Sequence, residues 1–290
     1  MSLHRRKLIK GLAAGTLAMG ASLPSLAGAT RVMENTPAGA YKHSVCRWTY
    51  NFLSLEELCK TVKDIGFSAI DLVGPGEWAT LKKHGIDSSM CNGAEISLTE
   101  GWNDPKYHDK LVQRYLEHID LVSKAGYKNL ICFSGNRKGM DDATGLKNCA
   151  DGLKKIMSAA EKKGVTIVME LLNSKVDHKD YMCDHTAWGV ELCKAIGSQH
   201  FKLLYDIYHM QIDEGDVIRT IQTSHPYIAH YHTAGNPGRH ELDENQELNY
   251  PAIMRAIAKT GFTGFVAQEF IPVKEDKIAS LRDAIRLCTV

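Results

Sequence analysis

A glycine that closes a helix-like segment and opens a short apolar run recurs along this sequence, in VKDIGFSAIDL (62–72), VSKAGYKNLICF (122–133), AEKKGVTIVME (160–170) and IAKTGFTGFVAQE (257–269). Glycine takes the left-handed conformation that ends a helix. The β-branched or aromatic run behind it is long enough for a buried parallel strand and too short for a helix. Helix–Gly–strand passages in series mean consecutive βα units.

The segments between them complete the alternation. Strands are expected near 44–48, 68–73, 91–97, 128–133, 165–170, 201–206, 227–232 and 264–269, with helices near 54–65, 76–84, 105–125, 145–163, 184–197, 214–223, 250–259 and 275–288. Ser54 with Glu57, Asp104 before Pro105, and Asn249 ahead of Pro251 read as helix caps. Eight strands alternating with eight helices in roughly 250 residues have the count and size of an α/β (β/α)8 TIM barrel. An open doubly wound sheet is the structural alternative, but no G-x-G-x-x-G follows the first strand. The formal net charge is +1, and beyond residue 10 lysine and arginine form no block, so no nucleic-acid partner is expected.

The N-terminal stretch is of different material. HRRKLIK (4–10) precedes the small-residue apolar run GLAAGTLAMGASLPSLAGA, which ends in Ala27-Gly28-Ala29. A charged segment, an apolar segment and an A-x-A site are the parts of an export signal, and Arg5-Arg6 resembles its twin-arginine form. Residues 1–29 are therefore expected to be a signal peptide, 30–42 a linker and 43–290 one catalytic barrel, exported to the periplasm by a twin-arginine route that carries folded chains. The apolar run is too short and glycine-rich for a stable membrane span after processing. Eight cysteines, without a CxxC pair and several inside apolar segments, read mostly as buried thiols.

Barrel chemistry sits where strands finish. Strand five, VTIVME, ends on Glu170; strand six, FKLLYD, on Asp206; strand seven, YIAHYH, on His232; strand eight, FVAQE, on Glu269. A solvated strand-end polar residue explains any one of these alone, but less readily four in succession. Three carboxylates and an imidazole suit a single divalent cation, Mn²⁺, Mg²⁺ or Co²⁺, with Zn²⁺ also accommodated. Three buried anions without a cation would cost several kcal/mol each. His230 shares a face with His232 and reads as a hydrogen-bonded core histidine, with support of His232 as its sharper role. Trp48 and Trp102 follow strands one and three and are expected either to wall a sugar pocket or to pack between loops. Asn173 is expected in the outer site; Asp71, followed by two apolar residues, carries the weaker case.

The segments VMELLN, LLYDIYHMQIDEGD, HYHTAGNPGRHELDENQELNYPAI and GFVAQEF resemble the hydroxypyruvate isomerase family, within the xylose isomerase-like barrels that include ketose 3-epimerases. The DIYHMQ run and the PGRxE loop carry most of this likeness. The resemblance implies metal ligands at Glu170, Asp206, His232 and Glu269, and substrate contacts at His209 and Arg239. It further implies that the metal polarises an α-hydroxycarbonyl while Glu170 and Glu269 move a proton, giving isomerisation or epimerisation through an enediolate. His209 would bind a substrate oxygen, and Arg239 would grip a hydroxyl or carboxylate. The expected partner is a small sugar or keto-sugar; a homo-oligomer is left open.

Two positions depart from the hydroxypyruvate isomerase pattern: His232 stands where Gln is usual and His is found in epimerases, and ELLN replaces the usual Glu-Pro start. Export also fits an extracytoplasmic saccharide better than hydroxypyruvate. The competing functions are a metal-dependent lyase, dehydratase or keto-glycoside-processing enzyme, the endonuclease IV branch of the same barrels, and a non-catalytic sugar-binding barrel. Endonuclease chemistry wants further His and Glu ligands and a basic track, and a Schiff-base aldolase wants a strand-end Lys that strands five to eight lack.

Overall fold

The computed structural model describes residues 41–290. The expected signal peptide, and the linker up to residue 40, lie outside the described residues. Tyr41 and Lys42, assigned to that linker, belong to the barrel: the Tyr41 hydroxyl donates to the Cys288 carbonyl, and Lys42 opens the first strand.

The strands are β1 (Lys42–Cys46), β2 (Ala69–Val73), β3 (Asp87–Cys91), β4 (Asn129–Cys132), β5 (Thr166–Glu170), β6 (Phe201–Asp206), β7 (Ile228–Thr233) and β8 (Phe265–Gln268). All pair in parallel in sequence order, and β8 returns to β1 with Lys42 opposite Phe265 and Val45 opposite Gln268, which closes the barrel. Around it run α1 (Leu55–Ile65), α2 (Trp78–His84), α3 (His108–Ala125), α4 (Asp142–Lys163), α5 (Thr186–Ile196), α6 (Ile207–Asp213), α7 (Val217–Ser224), α8 (Tyr250–Lys259) and α9 (Lys277–Cys288).

Local chemistry explains where these elements stop. Ser54 and Glu57 form a reciprocal capping box on α1, Asp104 caps the short 3-10 turn Pro105–Tyr107, and Asn249 accepts from the Ala252 N–H at the start of α8. Gly66 and Gly164 end α1 and α4 with left-handed backbone, as the repeat predicts. No described helix is long and apolar enough to cross a membrane. All eight cysteines are free and buried.

Two boundaries are corrected. The third strand spans Asp87–Cys91 rather than 91–97, because Gly85 closes α2 and the chain enters the sheet at once. Its polar DSSMC sequence hides the strand; Ser88 and Ser89 are nevertheless buried, their hydroxyls bonded to Met90 O and Asp71 Oδ2. The helix expected near 214–223 is preceded by another, α6, which starts directly from the end of β6 with Asp206 as its N-cap.

Candidate metal centre

The ends of β5 to β8 converge. Glu170, Asp206, His232 and Glu269 are all buried and offer ligand atoms that lie within 4.8 Å of one another. His232 Nδ1 stands at the middle, 3.1 Å from Glu170 Oε1, 3.0 Å from Glu269 Oε2 and 3.9 Å from Asp206 Oδ2. Yet Glu170 Oε1, Asp206 Oδ2 and His232 Nδ1 have no hydrogen-bond partner. Buried polar atoms that approach so closely without bonding one another are aimed at a shared point, which is the geometry a cation needs. The donor set of three carboxylates and one imidazole fits a hard to borderline divalent ion.

Electrostatics agree with that reading. Burial and the neighbouring Glu269 carboxylate push Asp206 well above the usual carboxylate range, and burial likewise raises Glu170. Burial would raise Glu269 too, but His232 and Arg239 outweigh it and hold its carboxyl well below the ordinary value. Burial opposes a charge on His232, yet Glu269, Cys46 and Asp71 together overcome it and raise the imidazole well above its ordinary value. The cluster draws positive charge to its centre.

The family profile described as xylose isomerase-like TIM barrel matches residues 59–288. The chain belongs to that family. A 2-oxo-tetronate isomerase of Cupriavidus necator is 35% identical over 130 residues, an alignment spanning 45% of this chain and 48% of that one, about half its length. A Drosophila melanogaster protein named "Putative hydroxypyruvate isomerase" is 24% identical over 235 residues, covering 78% of this chain and 89% of that one. Among solved structures, an AP endonuclease, family 2, from Brucella melitensis superposes with a TM-score of 0.72 at 20% identity, covering 83% of this chain and 96% of that one. That last likeness concerns the fold alone.

On this xylose isomerase-like barrel, the other expected site residues separate into two groups. Trp48 lies at the site: its indole N–H donates to Glu269 Oε1 at 3.0 Å, and its ring, 38% exposed, lies beneath the Arg239 guanidinium at 5.2 Å. Arg239 pairs with Glu269 Oε2 at 2.6 Å and also sits over the Tyr208 ring, at 5.6 Å. This arginine has left-handed backbone (φ 59°) in the loop after β7, where a cis Asn236–Pro237 bond and Gly238 turn the chain. His209, an expected substrate contact, is in the first turn of α6, its N–H bonded to Asp206 Oδ1. Its Nε2 is unpartnered and 3.7 Å from Asp206 Oδ2. Burial, reinforced by Arg239, pushes the His209 imidazole well below its ordinary value, so it is neutral near pH 7.

For Trp102 the packing alternative holds, and Asn173 is corrected. Because β3 ends at Cys91, Trp102 lies well beyond it, fully buried against Tyr115 and His108 of α3 and close to Gly152 of α4. It packs the helical layer and does not wall the site. Asn173 has every polar function in use: Nδ2 meets Asp177 Oδ2 and His209 Nδ1, and Oδ1 accepts from the Val176 and Asp177 N–H groups. It orients His209 and leaves nothing for a substrate. An amide donor at Nδ1 leaves the His209 proton on Nε2, facing the site.

Sequence reasoning missed Tyr208, whose only signal is its place beside His209 in DIYHMQ, and undervalued Asp71. That carboxylate is fully buried, 2.7 Å from His230 Nε2 and 3.2 Å from His232 Nε2. Its signal was a charged residue inside the apolar strand AIDLV. His230 is buried as expected, but neither ring nitrogen makes the expected hydrogen bond; Nε2 only approaches Asp71 Oδ2, at 2.7 Å. Among the described residues, the other group of three candidate ligand atoms, Cys46, Asp71 and His232, shares His232 with the first. The further ligands of endonuclease chemistry are thus not gathered here.

Proposed function

We propose that this chain is a divalent-metal-dependent isomerase or epimerase that moves a proton at the carbon beside the carbonyl of a small sugar or keto-sugar. The observation that carries it is the convergence of two buried glutamates, at the end of β5 and just past β8, on the same centre as Asp206 and His232. Glu170, Asp206, His232 and Glu269 would hold the ion, which would supply Lewis-acid polarisation of the substrate carbonyl. Burial raises the proton affinity of Glu170, whereas Arg239 and His232 hold Glu269 down. Such a pair can accept a proton on one side of a substrate and return one from the other. His209 presents its Nε2–H to a substrate oxygen. Arg239, in cation–π contact with both Trp48 and Tyr208, offers a planar donor to a hydroxyl or carboxylate.

His232 supports the epimerase outcome, since the resembling ketose epimerases carry His at that position. The lyase or keto-glycoside alternative uses the same carboxyls but ends in water loss or bond cleavage. Incubation of metal-loaded protein in D₂O with ketoses, aldoses and keto-glycosides separates them: deuterium gained next to the carbonyl supports proton transfer, and loss of water moves the assignment to a lyase. Full metal-dependent turnover by both Glu170→Gln and Glu269→Gln would sink the mechanism. The Arg5-Arg6 leader supports action outside the cytoplasm; retention of a tagged full-length chain in the cytoplasm of a twin-arginine-competent bacterium would remove that part.

A further inference from the structure

His232 uses both ring nitrogens, and they face different neighbours. Nδ1 looks toward the three carboxylates, while Nε2 lies 3.2 Å from Asp71 Oδ1 on the far side of the ring. A carboxylate accepts but does not donate, so a hydrogen bond to Asp71 requires the proton to sit on Nε2. In a neutral imidazole that leaves the lone pair on Nδ1. Asp71 is itself held: Ser89 Oγ donates to Oδ2 at 2.6 Å, and His230 Nε2 stands 2.7 Å from the same oxygen. The backbone is bent for the purpose. Leu72 adopts φ 55°, left-handed for a residue with a branched side chain, and the β2–β3 register shifts on both sides of Asp71. A bulge of this kind re-aims a side chain, and a non-glycine residue rarely adopts that conformation.

We propose that Asp71 is a positioning residue for the metal centre: through Nε2 it fixes the tautomer and ring plane of His232, so that Nδ1 is the atom offered to the cation. The inference rests on the metal-dependent reading above and adds a residue from the opposite half of the barrel. Cys46 Sγ lies 3.8 Å from both Asp71 Oδ1 and His232 Nε2, so these atoms could in principle form a second cation site. Against that, each Asp71 oxygen already has a hydrogen-bond partner, Oδ2 in Ser89 and Oδ1 in His232.

Calorimetric titration of Co²⁺ into the metal-stripped protein tests this without any turnover. Wild type is expected to take one ion per chain, and Asp71→Asn to bind about 10–100-fold more weakly, as loss of a ligand's carboxylate partner typically does. Ser89→Ala, which removes only the hydroxyl behind Asp71, should weaken binding by a smaller factor. A folded Asp71→Asn protein with unchanged affinity would overturn the inference while leaving the proposed function standing; a wild type that binds no divalent ion would overturn both. If Asp71→Asn fails to fold, ¹⁵N-edited imidazole spectra of Zn²⁺-loaded wild type decide the matter. They should show a proton on His232 Nε2 and the metal on Nδ1, and the reverse arrangement refutes the assignment. So would a second bound Co²⁺ with a thiolate charge-transfer band that disappears in Cys46→Ser.

Discussion

The two halves of the barrel finish their strands in opposite chemistry. In β1 to β4 the final residues are Cys46, Val73, Cys91 and Cys132, whereas in β5 to β8 Glu170, Asp206, His232 and Glu269 stand at or beside the ends. Burial acts on both halves with different results. It pushes Cys91 up to about 12 and Cys132 well above the ordinary thiol value, so these thiols stay neutral and form an apolar wall. In the other half the groups are too close to one another to settle independently, and their proton affinities spread apart. One scaffold thus holds an inert side and a reactive side. Asp71, buried within β2, places a carboxylate 3.2 Å from His232 Nε2 across that divide.

The largest test exchanges single atoms on the two sides. Glu170→Gln and Glu269→Gln should each lower turnover by about 10²–10⁴-fold, the usual contribution of a positioned acid or base. Cys132→Ser should leave turnover nearly unchanged and lower stability by about 1–3 kcal/mol, since it buries a hydroxyl among apolar neighbours. Equal kinetic damage from both kinds of variant would break the comparison.

Ion binding should stabilise the reactive half next most strongly. Divalent ion at a hundred times its dissociation constant is expected to raise unfolding free energy by about 2.7 kcal/mol, as read from denaturant melts, and Asp206→Asn should abolish the gain. The inert half should reveal itself at high pH instead. Cys91 has its folded pKa raised from 9.0 to about 12, so its contribution is complete below about pH 9 and is lost as pH rises from there toward 12, where only the unfolded chain ionises. Each such thiol should cost about 1.4 kcal/mol per pH unit in that window. Stability that is flat from pH 8 to 10 would contradict this.

The smallest expected effect belongs to Arg239→Lys. It keeps the charge but gives up the planar cation–π contact with Trp48 and Tyr208, worth about 1 kcal/mol, and should lower kcat/KM by roughly tenfold or less with little change in melting temperature. A rise in KM with kcat intact would place the arginine in substrate binding alone.

Much of this was legible locally. A glycine after a helix, a Ser–Glu capping box and a carboxylate at the end of an apolar strand each act over a few residues, so βα units and four strand-end ligand candidates could be read directly. What escaped reading involves partners far apart in the chain. Ser88 and Ser89 disguise β3 because their hydroxyls are satisfied within the sheet, by Met90 O and by Asp71. Asn173 looks like a substrate ligand until Asp177 and His209 are seen to consume its amide. Trp102 looks like a pocket wall until β3 is shortened. Helix α6 hides because the carboxylate that ends β6 also caps the helix.

By itself the sequence determined the alternation of strand and helix, the order in which the strands enter the barrel, and which of its strand ends carry charge. These follow from backbone conformational preferences and from the two periodicities of burial, both properties of neighbouring residues. Only the tertiary structure decided that the four charged ends meet at one point, that Arg239 meets Trp48 and Tyr208, and that Asp71 stands behind His232. Barrel closure sets those distances, and electrostatic and hydrogen-bond energies depend on separation in space, not along the chain.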